Sequence, residues 1–222
     1  MTGLGTTQVL AAVAEGLGDW RKLAQPLVAR YRVGGFAEGA AFVAAIADIA
    51  QAAGREPEVR VGGRFVEVSL CTVDEGGGRW ITEGDLRLAR EVSAAALRLG
   101  LDAAPRDVAQ LELALDSADF ERAGPFWAAL LTGSPDHVVH GDVMDPDSRV
   151  PNVWFQRTDA HAVPRQRWHL DLWLAPEEAA SRIEAAVAAG GTVVDAEHAP
   201  SYTVLADPEG NRVCVCTAEG RE

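Results

Sequence analysis

The chain has 222 residues, enough for one domain or two, and 48% of them are apolar, as in an ordinary globular protein. A formal charge of −13 argues against nucleic acid and anionic membranes as partners, since both require clustered Lys and Arg. No apolar run approaches the roughly 20 residues of a spanning helix, the N-terminus lacks the basic start and apolar core of a secretory signal, and Cys71, Cys214 and Cys216 do not make the even set of a disulfide framework. A reduced, cytoplasmic protein is expected.

Thr7 to Leu17 reads as a short helix capped by Thr6 or Thr7, and Leu27 to Val33 as a strand. Phe36, Ala40, Val43, Ile46, Ala47 and Ala50 recur at helical spacing, which predicts a helix from Phe36 to Ala53 stopped by Gly54. Val59 to Val61 and Arg64 to Thr72, joined by Gly62-Gly63, read as a hairpin. Gly76 to Gly78 is a loop without the Lys-Ser/Thr of a phosphate-binding turn. Thr82, with Asp85 three residues on, forms a variant capping box for a helix that runs to about Leu99 and ends at Gly100. Asp102 to Asp107, containing Pro105, reads as a linker, which puts one domain at 1–103 and a second at 108–218.

Beyond the linker Gln110 to Asp116 reads as a strand, with Leu111, Leu113 and Leu115 to one side. Phe120 to Leu131 is a predicted helix closed by Gly133; His137 to Val143 and Val150 to Arg157 are predicted strands. Arg167 to Leu174 alternates strictly, with Trp168, Leu170, Leu172 and Leu174 opposite Arg167, His169, Asp171 and Trp173. Pro176, followed by Glu177 and Glu178, starts a helix that reaches Ala189 before Gly190-Gly191. Thr192 to Glu197, Tyr202 to Ala206 and Arg212 to Thr217 complete the strands, with a turn at Asp207-Pro208-Glu209-Gly210. The order strand, helix, three strands therefore occurs twice, as a repeat of elements rather than of residues.

The polar sides of these strands carry an unusual mixture. Glu112 has the opposite parity to Leu111 and Leu113; Trp154 and Gln156 oppose Val153 and Phe155; Cys214, with Arg212 and Cys216, opposes Val213 and Val215. With His169, Asp171 and Trp173, this suits the wall of a polar cup better than a plain solvent face. Trp127 and Trp168 read as core, and Cys216 as a small packed residue.

Three signatures in the second half resemble the vicinal oxygen chelate superfamily, which includes glyoxalase I, the bleomycin-resistance proteins and the extradiol dioxygenases. They are Asp119-Phe120-Glu121-Arg122 leading to Phe126-Trp127, the His169-Leu170-Asp171-Leu172 strand, and Asp207-Pro208-Glu209-Gly210-Asn211. The resemblance covers about 109–217 and implies two βαβββ units curled into a cup. It places the superfamily's metal-ligand positions at Glu112, Gln156, His169 and Cys214. Glutamine is a weak neutral ligand, whereas cysteine suits soft or borderline ions. No resident metal is expected; were one bound, these four side chains would hold it.

The first half resembles pterin-4a-carbinolamine dehydratase over about 20–100. The residues that carry it are Cys71-Thr72-Val73-Asp74-Glu75-Gly76-Gly77-Gly78, Ile81-Thr82-Glu83-Gly84-Asp85-Leu86, and Arg55-Glu56-Pro57-Glu58 after the helix. The three positions at which that family has histidines are here Arg55, Glu56 and Val73. Histidine titrates near neutral pH and suits this proton chemistry, so the resemblance implies an N-terminal scaffold without dehydratase activity.

The whole reads as an α+β protein: a pterin-dehydratase-like α/β sandwich, then a paired βαβββ vicinal oxygen chelate domain. The expected function is that of a small-molecule enzyme of isomerase, lyase or cyclase type, with His169 and Glu112 as the proton-transfer pair. Trp154, Gln156, Asp171, Trp173, Tyr202 and Cys214 would bind a planar or apolar organic ligand. The alternatives are a protein that sequesters a drug or natural product, and a scaffold without chemistry. The cofactor is open, and a homodimer or larger two-fold assembly is expected.

Overall fold

The computed structural model describes residues 3–108, 110, 112–160, 162, 170–173 and 176–216, the side chains of 171, 173 and 176–178 excepted. The readings placed on Leu111, Arg167, Trp168, His169, Leu174 and Thr217 fall outside the described residues. The chain divides into two compact units, Met1–Gln110 and Leu111–Glu222.

The first unit runs α1 (Thr6–Gly16), β1 (Trp20–Lys22), β2 (Leu27–Arg32), α2 (Phe36–Ala53), β3 (Glu58–Val61), β4 (Phe65–Leu70), β5 (Thr72–Val73), β6 (Arg79–Trp80) and α3 (Glu83–Arg98). An antiparallel sheet of order β1-β2-β4-β3 shares a core with the helices, centred on Trp20, Tyr31, Phe42, Ile46, Val66 and Leu88. Tyr31 and Phe42 meet edge to face at 5.2 Å and 78°, and the Trp20 indole donates to Ser93 Oγ at 2.9 Å.

Four local expectations change. Gly5, not Thr6 or Thr7, is the N-cap of α1, and its N–H donates to Gln8 Oε1 at 2.9 Å. The buried stripe of α2 is Gly39, Phe42, Ile46 and Ala50, whereas Phe36 is 65% exposed. Gly39 lies close to the sheet, since a Cβ there would come within 3.3 Å of Val61 and Val66. By length and composition α2, with 18 residues, is apolar enough to cross a membrane, as core helices can be; Phe42 and Ile46 of its stripe pack in the core. The β3–β4 connection is longer than two glycines, with Val61 paired to Val66 and Gly62 N–H donating to Phe65 O at 2.8 Å, while Thr72 belongs to a separate β5–β6 ribbon. The Asp102 segment bonds to β2, through Arg32 N–H to Asp102 O at 2.9 Å and Ala104 N–H to Arg30 O at 2.6 Å.

The second unit runs β7 (Leu113–Ser117), α4 (Phe120–Thr132), β8 (Val138–Val139), β9 (Asp142–Val143), β10 (Val153–Arg157), β11 (Leu170–Trp173), α5 (Pro176–Ala188), β12 (Thr192–Asp195), β13 (Tyr202–Ala206) and β14 (Arg212–Cys216). Its sheets, β7-β10-β9-β8 and β11-β14-β13-β12, share one order: first strand, fourth, third, second. In each, the first and fourth strands pair in parallel and the rest are antiparallel. This is the repeated βαβββ unit of the sequence. One expected strand, His137 to Val143, is instead the tight β8–β9 hairpin: His140 (φ 53°) and Gly141 (φ 95°) both take the left-handed conformation that two-residue hairpin turns require.

The modules interlock through polar contacts. Asp207, 4% exposed, accepts the Trp127 indole N–H at 3.0 Å and, within its own turn, bonds from Asn211 Nδ2, Asn211 N and Glu209 N at 2.8 to 2.9 Å. Glu209 Oε1 accepts Ala118 N–H at 2.8 Å at the start of α4, and Arg182 Nη1 donates to Leu130 O at 2.8 Å at its end. Asp207→Ala should cost about 2–4 kcal/mol in urea denaturation, because it strands a buried indole N–H and the donors of the turn.

Asp145, 1% exposed, is clasped by Arg149 through Nη2 at 2.8 Å and Nε at 3.0 Å, and Arg149 Nη2 also donates to Thr132 O at 3.0 Å. Burial alone would raise the Asp145 carboxyl, but the bonds from Arg149 outweigh it and hold the group below the usual carboxylate range. A depressed folded-state value stabilises above the unfolded pKa of about 3.9, and that stabilisation is lost as pH falls through the folded value. The stability gap between wild type and Asp145→Asn should therefore be widest at neutral pH and narrow below about pH 4 in pH-resolved denaturation.

Candidate functional site

In the first unit the relevant residues meet where α2 ends, β5 begins and α3 starts. Thr82 caps α3, and its N–H and Oγ1 both donate to Asp85 Oδ2, at 2.8 and 2.6 Å, as the capping-box reading required. Thr72 Oγ1 donates to the same oxygen at 2.8 Å. Arg55 Nη1 donates to Thr72 Oγ1 at 2.6 Å, and the guanidinium lies 3.8 Å from Asp85 Oδ1. Space for it exists because residue 84 is glycine: a Cβ there would fall 1.9 Å from Arg55 Nη2. An arginine thus occupies this corner and donates to a network that joins three elements. Glu56 is exposed, and Val73 is 55% exposed with no proton to exchange. Burial pushes the nearby Cys71 thiol upward.

In the second unit one sheet face is core and the other is open. Leu113, Leu115, Val153 and Phe155 pack inward, while Ala114, Asp116, Trp154 and Gln156 are exposed, as alternation requires. Trp154 is 38% exposed. Just ahead of β7, Glu112 is half-buried, and Asn152 Nδ2 makes a long contact to its Oε1 at 3.5 Å. The Val153–Val143 pairing brings Asp142 level with Trp154. Burial pushes the Asp142 carboxyl up, a bond from the Phe155 backbone N–H draws it back, and the Glu112 charge raises it again. Asp142 and Asn152 therefore join this face although sequence reasoning passed them over. The signal for Asp142 lay in the His140-Gly141 turn, which was read as the middle of a strand.

In the other sheet Val213 and Val215 belong to the core, and Cys214, 7% exposed, lies on the opposite side. Its register partners are Asp171 on β11 and Val204 on β13. Tyr202 pairs with Cys216 and stacks on His198 at 4.9 Å. Trp173 is the register partner of Cys216, and His169 lies outside the described residues.

Of the four positions implied by the resemblance, Glu112 and Gln156 lie at different levels of their sheet. In the β7–β10 register Gln156 stands level with Asp116, four residues beyond the level of Glu112, or about 13 Å along the strands. Among the described residues no three His, Cys, Asp or Glu side chains form a group able to hold a metal ion.

Comparison with known proteins matches both halves. The family model for pterin 4 alpha carbinolamine dehydratase matches residues 2–95, and that for a glyoxalase-like domain matches residues 112–216. A pterin-4-alpha-carbinolamine dehydratase, so named, from Roseiflexus sp. strain RS-1 is 33% identical over 85 residues, 37% of this chain and 88% of that protein. One from Mycobacterium sp. strain KMS is 36% identical over 92 residues, 41% of this chain and 94% of that protein. Among solved structures, a transcriptional coactivator/pterin dehydratase from Brucella melitensis aligns at 26% identity and TM-score 0.39, over 43% of this chain and 99% of its own. A glyoxalase/bleomycin resistance protein from Albidiferax ferrireducens T118 aligns at 20% identity and TM-score 0.33, over 48% and 95%. The fold is thus a dehydratase-like unit followed by a vicinal oxygen chelate unit. The chain belongs to the pterin-4-alpha-carbinolamine dehydratase family through its first unit and carries a glyoxalase-like domain in its second.

With Arg55, Glu56 and Val73 in place of the histidines, the purified protein should leave carbinolamine dehydration at its buffer rate, measured by loss of carbinolamine absorbance. Arg55→Ala should restore no activity and should lower stability by about 1–3 kcal/mol, since it removes the cation beside buried Asp85.

Proposed function

We propose that the glyoxalase-like domain, 108–218, takes a small organic ligand, planar or apolar in part, against the Trp154 face and carries out acid–base chemistry of the isomerase, lyase or cyclase type on it. The observation that supports this is the half-open Trp154 indole on a strand whose other face is core, with Asp142 level with it and the Glu112 carboxylate near enough to act on Asp142. An indole left in water gains hydrophobic free energy when a ligand covers it, and its ring offers a stacking surface. Glu112 accepts a proton and His169 is its exchange partner, while Gln156 and Tyr202 orient the substrate. Asp171, Trp173 and Cys214 complete the wall. The N-terminal unit, 1–103, is a scaffold that sets assembly into a two-fold homo-oligomer. Sequestration without turnover is the second reading; it is favoured by Trp154, which would supply affinity without any proton transfer.

A compound screen by tryptophan fluorescence, followed by mass spectrometry of the recovered ligand, tests the proposal. Trp154→Ala should weaken binding at least about tenfold, or about 1.4 kcal/mol, and leave Tm in place. Glu112→Gln should still bind but lose about 10²–10⁴ of the turnover. Equal binding by wild type and Trp154→Ala would sink the site. Tight binding with the ligand recovered unchanged from wild type would select sequestration.

A further inference from the structure

We propose that the open sheet face of the first unit, built on Arg30, Arg32, Arg60 and Phe65, docks residues 192–197 of a second copy of the chain, which are β12 and the two residues after it. The proposal rests on the reading of a two-fold homo-oligomer and names the two surfaces that meet in it.

Charge is unevenly divided along the sequence. Residues 1–110 hold 12 Lys and Arg against 14 Asp and Glu, whereas residues 111–222 hold 8 against 19. The first unit is therefore close to neutral, and the second carries −11 of the −13. Within the first unit all three helices share a core with one face of the sheet, the face that holds Tyr31, Val66 and Val68. The opposite face presents Arg30 and Arg32 from β2, Arg60 from β3, and Phe65 and Glu67 from β4. They are aligned by the pairs Arg30–Glu67, Arg60–Glu67 and Arg32–Phe65.

Glu67 holds Arg30 at 2.9 Å and reaches Arg60 only at 4.0 Å. The Arg30 guanidinium lies 3.6 Å, and that of Arg60 5.1 Å, from the centre of the Phe65 ring. Arg32 meets Asp107 at 3.2 Å, yet the Arg32 and Arg60 side chains remain 70% and 69% exposed. Planar guanidinium forks that stay in water around an aromatic ring suit carboxylates set beside apolar side chains.

β12 offers that combination. It is the outer strand of its sheet, and all four of its residues are exposed. Val193 and Val194 are 48% and 42% exposed, and the exposed Asp195 and Glu197 follow them. The register shift between Val193 and Asp195 interrupts the regular ladder, so a side-chain surface fits this edge better than a further strand. Covering the valines removes apolar surface from water, while the arginines take the carboxylates. A two-fold axis makes the contact twice and so closes the dimer, which doubles the buried area toward the roughly 1,200–2,000 Å² of a stable interface.

Sedimentation velocity of the intact protein tests this. Raising NaCl from 0.1 M to 1 M shortens the screening length from about 10 to about 3 Å, and should weaken the dimer at least about tenfold. Arg32→Glu/Arg60→Glu should give monomers at low salt, and so should Asp195→Lys/Glu197→Lys. An equimolar mixture of these two variants should recover the dimer, since each then meets a complementary pair, and that recovery also shows that both are folded. Arg87→Glu/Arg90→Glu, the same charge change on α3, should leave the dimer intact. A dimer that ignores salt and both reversals, a mixture that stays monomeric, or equal dissociation by the α3 variant would overturn the docking surface and leave the homo-oligomer reading standing. A monomer at every concentration would overturn both, including one that loses compactness on reversal because the contact forms within a single chain.

Discussion

The second unit depends on the buried carboxylate of Asp207. A carboxylate at 4% exposure is costly unless its lone pairs are taken up. Here one oxygen receives the Trp127 indole and the Asn211 amide, and the other receives two backbone N–H groups of its own turn. The indole comes from the first βαβββ module and the turn from the second, so satisfying one charge joins the two. Glu209, two residues on, reaches the start of α4 from the same turn. The turn also fixes the entry of β14 and therefore which of its residues face the core.

The first unit uses a buried carboxylate in another way. Asp85 caps α3 and, through Thr72 and the guanidinium of Arg55, closes the corner between α2, β5 and α3. The planar guanidinium supplies donors on several sides, which is what a junction of three elements uses. The network ties the end of α2 to β5 and to the start of α3. Gly84 belongs to the same arrangement, since any side chain at that position would displace the guanidinium.

The faces of the second unit follow from strand alternation. β10 gives Val153 and Phe155 to the core and leaves Trp154 and Gln156 outside; β14 gives up Val213 and Val215 and leaves Cys214 and Cys216. Each sheet thus has one side packed in the core and an opposite side, and the parallel pairing of first and fourth strands sets the levels at which side chains of that opposite side can meet. Glu112 meets Asn152 and comes near Asp142, and Cys214 stands level with Asp171.

The sequence by itself determined the two-unit α+β architecture, the repeated βαβββ order, the helix stops at Gly54 and Gly133, the Thr82–Asp85 cap and the side of the strand on which Glu112, Trp154, Gln156 and Cys214 lie. These are local properties: period, capping chemistry and glycine's access to positive φ act within a few residues. Tertiary structure alone decided the rest. Which side of α2 meets the sheet, with Gly39 and Phe42 buried and Phe36 exposed, depends on how the helix docks. The separation of Gln156 from Glu112 depends on the register of β10 against β7, because parity names a face but not a level along it. Asp142 entered the site only once the His140-Gly141 turn folded β9 back beside β10, a pairing between residues ten apart in the chain that no local pattern specifies.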